Sequence, residues 1–406
     1  MNPTSSGDSR GGSANPRSRT DGFDSRSDWS EIDTIVVKVG SRVLTDRQSG
    51  RLDRRRIKDL SAGLAGWADT KRQVVLVSSG AVAAGVGKLA IDRPDTLEGL
   101  QAVAAIGQAD LIQAYESALA HHGRHAAQVL LTTEDLRRRS GYLNVRNALS
   151  AIHRFGAIAI VNENDSVAVA ELMTTFGDND SLAARVAGLF PAALLVILSD
   201  VDGLYDGPPD APGSRKIDLV KGINDSIRQF AAPHRASESK GGMASKLAAA
   251  EIANRHGHPV IVAPGTDPHV LQKILAAETV GTLFVASSGD AAATSAKVVG
   301  RRRWIGWSAR IEGRLQIDAG ATEALLRRGR SLLAVGITAV EGDFSRGSVV
   351  EIVDPDGAEI ARGLVNYSAS EMRQIQSLPN DQISKVLGHT RDGAAVHRDN
   401  LVLLEA

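Results

Sequence analysis

Cysteine is absent from all 406 residues. That excludes disulfides, a thiolate nucleophile and thiolate-ligated zinc or iron–sulfur centres, leaves oxygen ligands for any metal, and suits a reducing cytoplasm. Aromatic residues are scarce at 4%, while 43% of the chain is hydrophobic, so the interior must be built from Ala, Val, Leu and Ile. Net charge is absent as well: 47 Lys and Arg balance 47 Asp and Glu. No global field draws nucleic acid or an anionic membrane, and any anionic ligand must be held locally. No apolar run approaches the roughly twenty residues needed to cross a bilayer, so the chain reads as soluble, with no membrane partner. Residues 1–30 hold Ser, Gly, Arg and Asp without an apolar stretch, and read as a disordered tail rather than a signal peptide.

A chain of this length exceeds what one hydrophobic core organises, and two domains are expected. From Thr34 onward, short apolar runs alternate with amphipathic segments. The runs Ile35–Val39, Val74–Val77, Ala127–Leu131, Ile158–Val161, Leu194–Leu198 and Val260–Val262 read as buried parallel strands. Between them, Ile57, Leu60, Leu64 and Trp67 fall at helical spacing, as do Leu100, Val103, Gly107, Leu111 and Tyr115. The repetition predicts an α/β fold with a doubly wound, mainly parallel sheet in three layers. The alternation stops at the small, weakly patterned stretch 285–300. The expected organisation is therefore a tail over 1–30, a catalytic domain over 31–287, a linker over 288–300 and a small mixed β domain over 301–406, with strands near 315–317, 348–353, 359–365 and 395–396.

In an open α/β sheet, ligands bind beyond the carboxyl ends of the strands. Lys38, followed by Gly40 and Ser41, closes the first run; Ser78-Ser79-Gly80-Ala81 closes the second and opens a helix whose free amides suit an anion. The fourth closes in Asn162-Glu163-Asn164-Asp165, with Gly177-Asp178-Asn179-Asp180 downstream, and the next in Ser199-Asp200. Lys240-Gly241-Gly242-Met243-Ala244-Ser245-Lys246 then opens an Ala-rich helix and suits a phosphate cradle. Taken singly, each piece has an ordinary reading: a solvated lysine, a capping Asn or Asp, a glycine loop. Their joint placement at the strand ends of one sheet argues for a site.

This set, with VVKVGSRVL, AAIGQADLI, IVNENDSVAVAEL, FGDNDSLAA, LSDVDGLY and GGMASK in order, resembles the glutamate 5-kinase family of the amino acid kinase fold. RGRSLLAVGITAVEGDFSRG, ARGLVNYSASEM and AVHRDNLVLL resemble the PUA domain attached to its bacterial members. The resemblance implies transfer of the ATP γ-phosphate to the side-chain carboxylate of L-glutamate, in proline biosynthesis. It makes Lys38, Asp180 and Lys246 catalytic, with Asp180 orienting the two lysines. It gives Ser79, Asp165 and Asn179 to glutamate, and Lys38, Ser199, Asp200 and 240–246 to ATP, with Asn162 and Asp178 in support and Mg²⁺ carried by ATP rather than by the protein. It further implies proline as feedback inhibitor, a homo-oligomer of two or four chains, and a separate glutamyl phosphate reductase. Two departures from the family pattern stand out: Leu172-Met173-Thr174-Thr175-Phe176 replaces a connection that commonly holds a lysine, and Ser239-Lys240 replaces Gly-Thr in the nucleotide loop.

The chemistry is self-consistent. A carboxylate attacking a phosphoryl group needs no general base, because it is already ionised at neutral pH. Each close anion pair costs about 4 kcal/mol at about 4 Å and an effective dielectric near 20, so cations must offset it. Other readings are a kinase of the same fold acting on another small acid, or a PUA protein that binds RNA or serves oligomerisation or regulation. Residues 301–406 hold 14 Lys and Arg against 14 Asp and Glu, which gives no excess for phosphate-driven RNA binding. The local cluster Arg301-Arg302-Arg303 reads as a solvated face between domains.

Overall fold

The computed structural model describes residues 29–46, 49–167, 179–209, 211–231, 242–285, 300–302, 304–388 and 393–404. The first five strands are β1 (Thr34–Val39), β2 (Gln73–Ser78), β3 (Ala126–Leu131), β4 (Ile158–Glu163) and β5 (Ala193–Ser199). A short hairpin follows, β6 (Leu204–Tyr205) with β7 (Lys216–Ile217), then β8 (Leu219–Lys221), β9 (Val260–Pro264) and β10 (Thr282–Val285). Eight of these form one sheet in the order β3-β4-β2-β1-β5-β9-β10-β8. It is parallel except where β10 runs antiparallel to β9.

The six apolar runs all lie in strands of this sheet, but two features differ from the expectation. The run in β3 forms an edge, with only Leu131 fully buried, because a single neighbour covers it. The strands β8 and β10 were not anticipated, since three or four residues leave too little pattern to read.

Period-two alternation divides the core. Ile35, Val37 and Val39 face one cluster, packed under the helices Arg54–Asp69, Ala81–Leu89 and Leu97–Ala120; Val36 faces the other, under Arg139–Arg154, Asp180–Ala187 and Met243–Arg255. Asp53 caps Arg54–Asp69 by accepting from the Arg55 and Arg56 amides, and Ile57, Leu60, Leu64 and Trp67 are buried along it, as their spacing predicts. Trp29, at the end of the segment read as tail, is also buried and donates from Nε1 to the Ile274 carbonyl at 2.8 Å. Residues 1–28 lie outside the described residues.

The helices Ala81–Leu89 and Leu97–Ala120 cross closely because of two glycines. A Cβ on Gly107 would fall on the Ala81 carbonyl oxygen, and one on Gly85 on the Val103 carbonyl. This approach carries Gln108, the residue after Gly107, to the end of β4.

The C-terminal domain holds β11 (Ile311–Ile317), β12 (Ile337–Gly342), β13 (Val349–Val353), β14 (Glu359–Val365) and β15 (Val396–Leu403) in the order β12-β11-β13-β14-β15, mixed because β11 and β13 run parallel. Its own core includes Leu315, Ile352, Tyr367, Met372 and Val396. The strand β12 and three helices, Ala319–Arg328, Ala369–Ile375 and Asn380–Leu387, were not anticipated. The sequence does mark the first two of these helices, through Asp318 as cap and Gly329 in the left-handed region, and through a Ser368/Glu371 capping box.

The two domains meet at Trp304. Its indole donates to the Arg137 carbonyl at 3.2 Å, and the Arg139 guanidinium lies 5.4 Å from the ring centre. Arg301 donates to Asn400 Oδ1 at 2.8 Å and Arg302 to the Arg398 carbonyl at 3.4 Å. The linker expected over 288–300 lies outside the described residues apart from Gly300, as does Arg303.

Candidate active site

The strand order puts the carboxyl ends of β4, β2, β1 and β5 side by side, and these ends carry Asn162, Ser78-Ser79, Lys38 and Ser199-Asp200. Alternation along β1 turns Lys38 away from Val37 and Val39, onto the face covered by Asp180–Ala187 and Met243–Arg255. Both helices present small residues there. Asp180, Ala183, Ala184 and Ala187 form one buried stripe, and Lys246, Ala249, Ala250 and Ala253 the other, so two charged groups are drawn in at the ends of alanine faces.

The result is a buried triad. Lys38 Nζ lies 2.6 Å from Asp180 Oδ1 and Lys246 Nζ 3.2 Å from Oδ2, with Asp180 fully buried and each lysine 4% exposed. Ser245 Oγ donates to Asp180 Oδ2 at 2.9 Å. Burial opposes ionisation of Asp180, but the two ammonium groups outweigh it and hold the carboxyl below the usual carboxylate range. Among the described residues two cations share this one carboxylate, a balance suited to an anion. The helix Met243–Arg255 begins beside it at Gly242 with no side-chain cap, so its first-turn amides are open to phosphate.

The neighbouring group is neutral. Asn179 precedes the helix Asp180–Ala187 at the position where Asn usually caps, yet it makes no capping bond. Instead, Nδ2 donates to the Ser78 carbonyl at 3.2 Å, Ser79 Oγ at 3.2 Å and Asn162 Oδ1 at 2.9 Å. Asn162 Oδ1 also accepts from the Glu163 amide at 2.9 Å, and Asn162 Nδ2 donates to Gln108 Oε1 at 2.9 Å. Gly80 turns the chain with φ 111° into the helix Ala81–Leu89, which has no side-chain cap. Asp165 lies in the turn after β4; burial pushes its carboxyl up to about 6, and it has no ion-pair partner among the described residues. At the other edge, Asp200 pairs with Arg42 at 2.9 Å and accepts from Ser199 Oγ at 3.1 Å; burial raises its pKa, but Arg42 brings it below the usual range.

A model of the amino acid kinase family matches residues 33–264, and a PUA domain model matches 313–387. The glutamate 5-kinase of Rhodopirellula baltica is 54% identical over 374 residues, covering 92% of this chain and 94% of its own. That of Trichlorobacter lovleyi is 44% identical over 376 residues, covering 92% and 97%. This chain belongs to the glutamate 5-kinase family. Among solved structures, UMP kinase from Bacillus anthracis aligns with 63% of this chain and 96% of its own at 16% identity and a TM-score of 0.43.

Of the positions that the resemblance to the glutamate 5-kinase family singled out, the structure brings Lys38, Asp180, Ser245 and Lys246 into one cluster, and Ser79, Asn162 and Asn179 into another. Asp178, Lys240 and Gly241 lie outside the described residues, as do Leu172–Phe176 and Ser239. Asn179, given to glutamate by the resemblance, has its side-chain nitrogen committed to protein acceptors, which leaves its oxygen rather than its NH₂ to face a ligand. Two residues escaped the sequence reading. Arg42 sits within VVKVGSRVL, and Gln108 within AAIGQADLI, but neither stands directly at a strand end, where ligands of an open α/β sheet bind.

Proposed function

We propose that this protein phosphorylates the side-chain carboxylate of L-glutamate with ATP, giving L-glutamyl 5-phosphate, the first step of proline biosynthesis. The buried Lys38–Asp180–Lys246 triad, positive beside a neutral amide cluster, is the observation that carries this reading. The high identity to named glutamate 5-kinases supports it.

In this reading Lys38 and Lys246 neutralise charge building on the transferring phosphoryl group, and Asp180 holds both ammonium groups in place by charge-assisted hydrogen bonds. The nucleotide lies along Ser199, Asp200 and the segment 240–246, its phosphates on the first-turn amides after Gly242. The nucleophile is already an anion, so the protein's task is positioning and charge stabilisation. Asp165 pairs with the α-ammonium of glutamate, and Ser79 and the open turn at Gly80 serve a carboxylate. Magnesium held by the ATP phosphates would offset part of their charge, leaving Lys38 and Lys246 to act on the transferring group. Proline as feedback inhibitor, a homo-oligomer, a separate glutamyl phosphate reductase and a cytoplasmic location complete the proposal. Among the described residues no helix is long and apolar enough to cross a membrane.

An ATP-dependent hydroxamate assay with L-glutamate, acetylglutamate and aspartate tests it. Trapping from glutamate alone is expected, and Lys246→Ala should lower turnover about a thousandfold or more. Preference for acetylglutamate or aspartate would overturn the substrate.

A further inference from the structure

Gln108 is buried, and only one end of its side chain is used. Its Oε1 accepts from Asn162 Nδ2 at 2.9 Å, while its Nε2 is enclosed with no hydrogen-bond partner among the described residues. The direction of this contact is forced by backbone groups elsewhere. The Glu163 N–H can only donate, so the Asn162 atom facing it is the oxygen. The Ser78 carbonyl can only accept, so the Asn179 atom facing it is the nitrogen. Asn162 is left with its NH₂ pointing at Gln108, which must answer with its carbonyl oxygen.

The amides therefore run in one direction: Asn179 donates to Asn162, and Asn162 donates to Gln108. At the open end, the Asn179 nitrogen faces three acceptors with two hydrogens, so it has nothing left for a ligand. Its oxygen has no hydrogen-bond partner among the described residues.

We propose that Gln108 is a positioning residue: it fixes the polarity of the Gln108–Asn162–Asn179 relay so that Asn179 offers a carbonyl oxygen, alongside the Asp165 carboxylate, to the α-ammonium of the acceptor substrate. This rests on glutamate being that substrate. Without an acceptor at 108, Asn162 Nδ2 is buried and unpaired. Turning the Asn162 amide over would then set NH₂ against the Glu163 N–H and the Asn179 NH₂, so no arrangement satisfies the relay.

Gln108→Met removes the acceptor at similar volume. Gln108→Glu keeps an oxygen toward Asn162 in either protonation state and eliminates the unpartnered donor. With wild type first shown to phosphorylate glutamate, steady-state kinetics should give Gln108→Met a KM for glutamate raised about ten- to a hundredfold, the effect of losing a hydrogen bond to a charged group. KM for ATP should stay within about twofold and kcat should change less than KM for glutamate. Gln108→Glu should recover most of the loss. A wild-type glutamate KM in Gln108→Met, an equal defect in Gln108→Glu, or a parallel change in both KM values with a lowered Tm would overturn the role. An inactive wild type would instead refute the substrate reading, and the inference with it.

If Gln108→Met is too unstable to assay, Asn162→Asp reads the same polarity. Alone, its carboxylate can accept from Gln108 Nε2 after an amide flip. Its oxygens offer Asn179 only acceptors whatever stands at 108, and a carboxyl at 108 shares a proton with it, so the double variant with Gln108→Glu should keep the glutamate KM of Asn162→Asp within about twofold. A KM about tenfold higher in the double variant would count against the proposal.

Discussion

On one side of the site, Lys38, Asp180 and Lys246 share a buried cluster of three charges; on the other, Ser79, Asn162, Asn179 and Gln108 form a buried relay of neutral groups. The two differ because they do different jobs. A phosphoryl group in flight needs charge cancelled, and a buried ammonium is tolerated only when a carboxylate accompanies it. A small amino acid must be oriented, which fixed amides accomplish through the direction of their donors and acceptors rather than through net charge.

The sharpest way to break this contrast is to neutralise the charged half. Asp180→Asn leaves two buried ammonium groups without their anion, and unfolding should show a loss of about 3–5 kcal/mol. Turnover should fall at least about a hundredfold, since misplacing a catalytic group by about 1 Å costs that much. ATP, bringing its own negative charge, should raise the Tm of this variant more than that of wild type; an equal rise would show that the lysines do not depend on Asp180 for charge balance.

A second test addresses the one ionisable group assigned to the neutral half. The Asp165 carboxyl sits near 6, so it is ionised at pH 7 and protonated below about pH 6. Glutamate kcat/KM should therefore fall about tenfold per pH unit below pH 6, and Asp165→Asn should lack that limb. Because burial raises the folded pKa above the unfolded one, the carboxylate opposes folding progressively as pH rises from about 4 to 6. Asp165→Asn should thus be more stable than wild type at pH 7 while binding glutamate more weakly.

The smallest expected effect on catalysis lies outside both halves. Trp304→Ala removes a buried indole and its bond to Arg137 at the junction of the domains, which should cost about 3–5 kcal/mol in thermal or denaturant unfolding. Both halves of the site keep their contacts, so KM for glutamate should stay within about twofold; a larger change would join the PUA domain to the site.

How much of this was legible beforehand follows physical lines. Five of the six longer strands announce themselves because residues buried on both faces must be continuously apolar, and the edge strand β3 by its apolar run alone; β8 and β10 do not, since three or four residues cannot show a period. Lys38 and Lys246 could be placed at the ends of elements, but nothing local in VVKVGS or MASK says that both reach one carboxylate. Asn179 is instructive in the opposite way. Local rules make it a helix cap, and the tertiary structure overrides them by offering Ser78, Ser79 and Asn162 as better-placed acceptors.

By itself the sequence determined the layered α/β domain, the mixed β domain after it and the strand ends where chemistry belongs, because periodicity, capping and composition are local properties read along the chain. Only the tertiary structure decided the direction of the amide relay and the distances at which both lysines meet Asp180, a pairing that the family resemblance implied but no local pattern shows. Those depend on which groups, far apart in sequence, are left buried together with a donor or an acceptor still to satisfy.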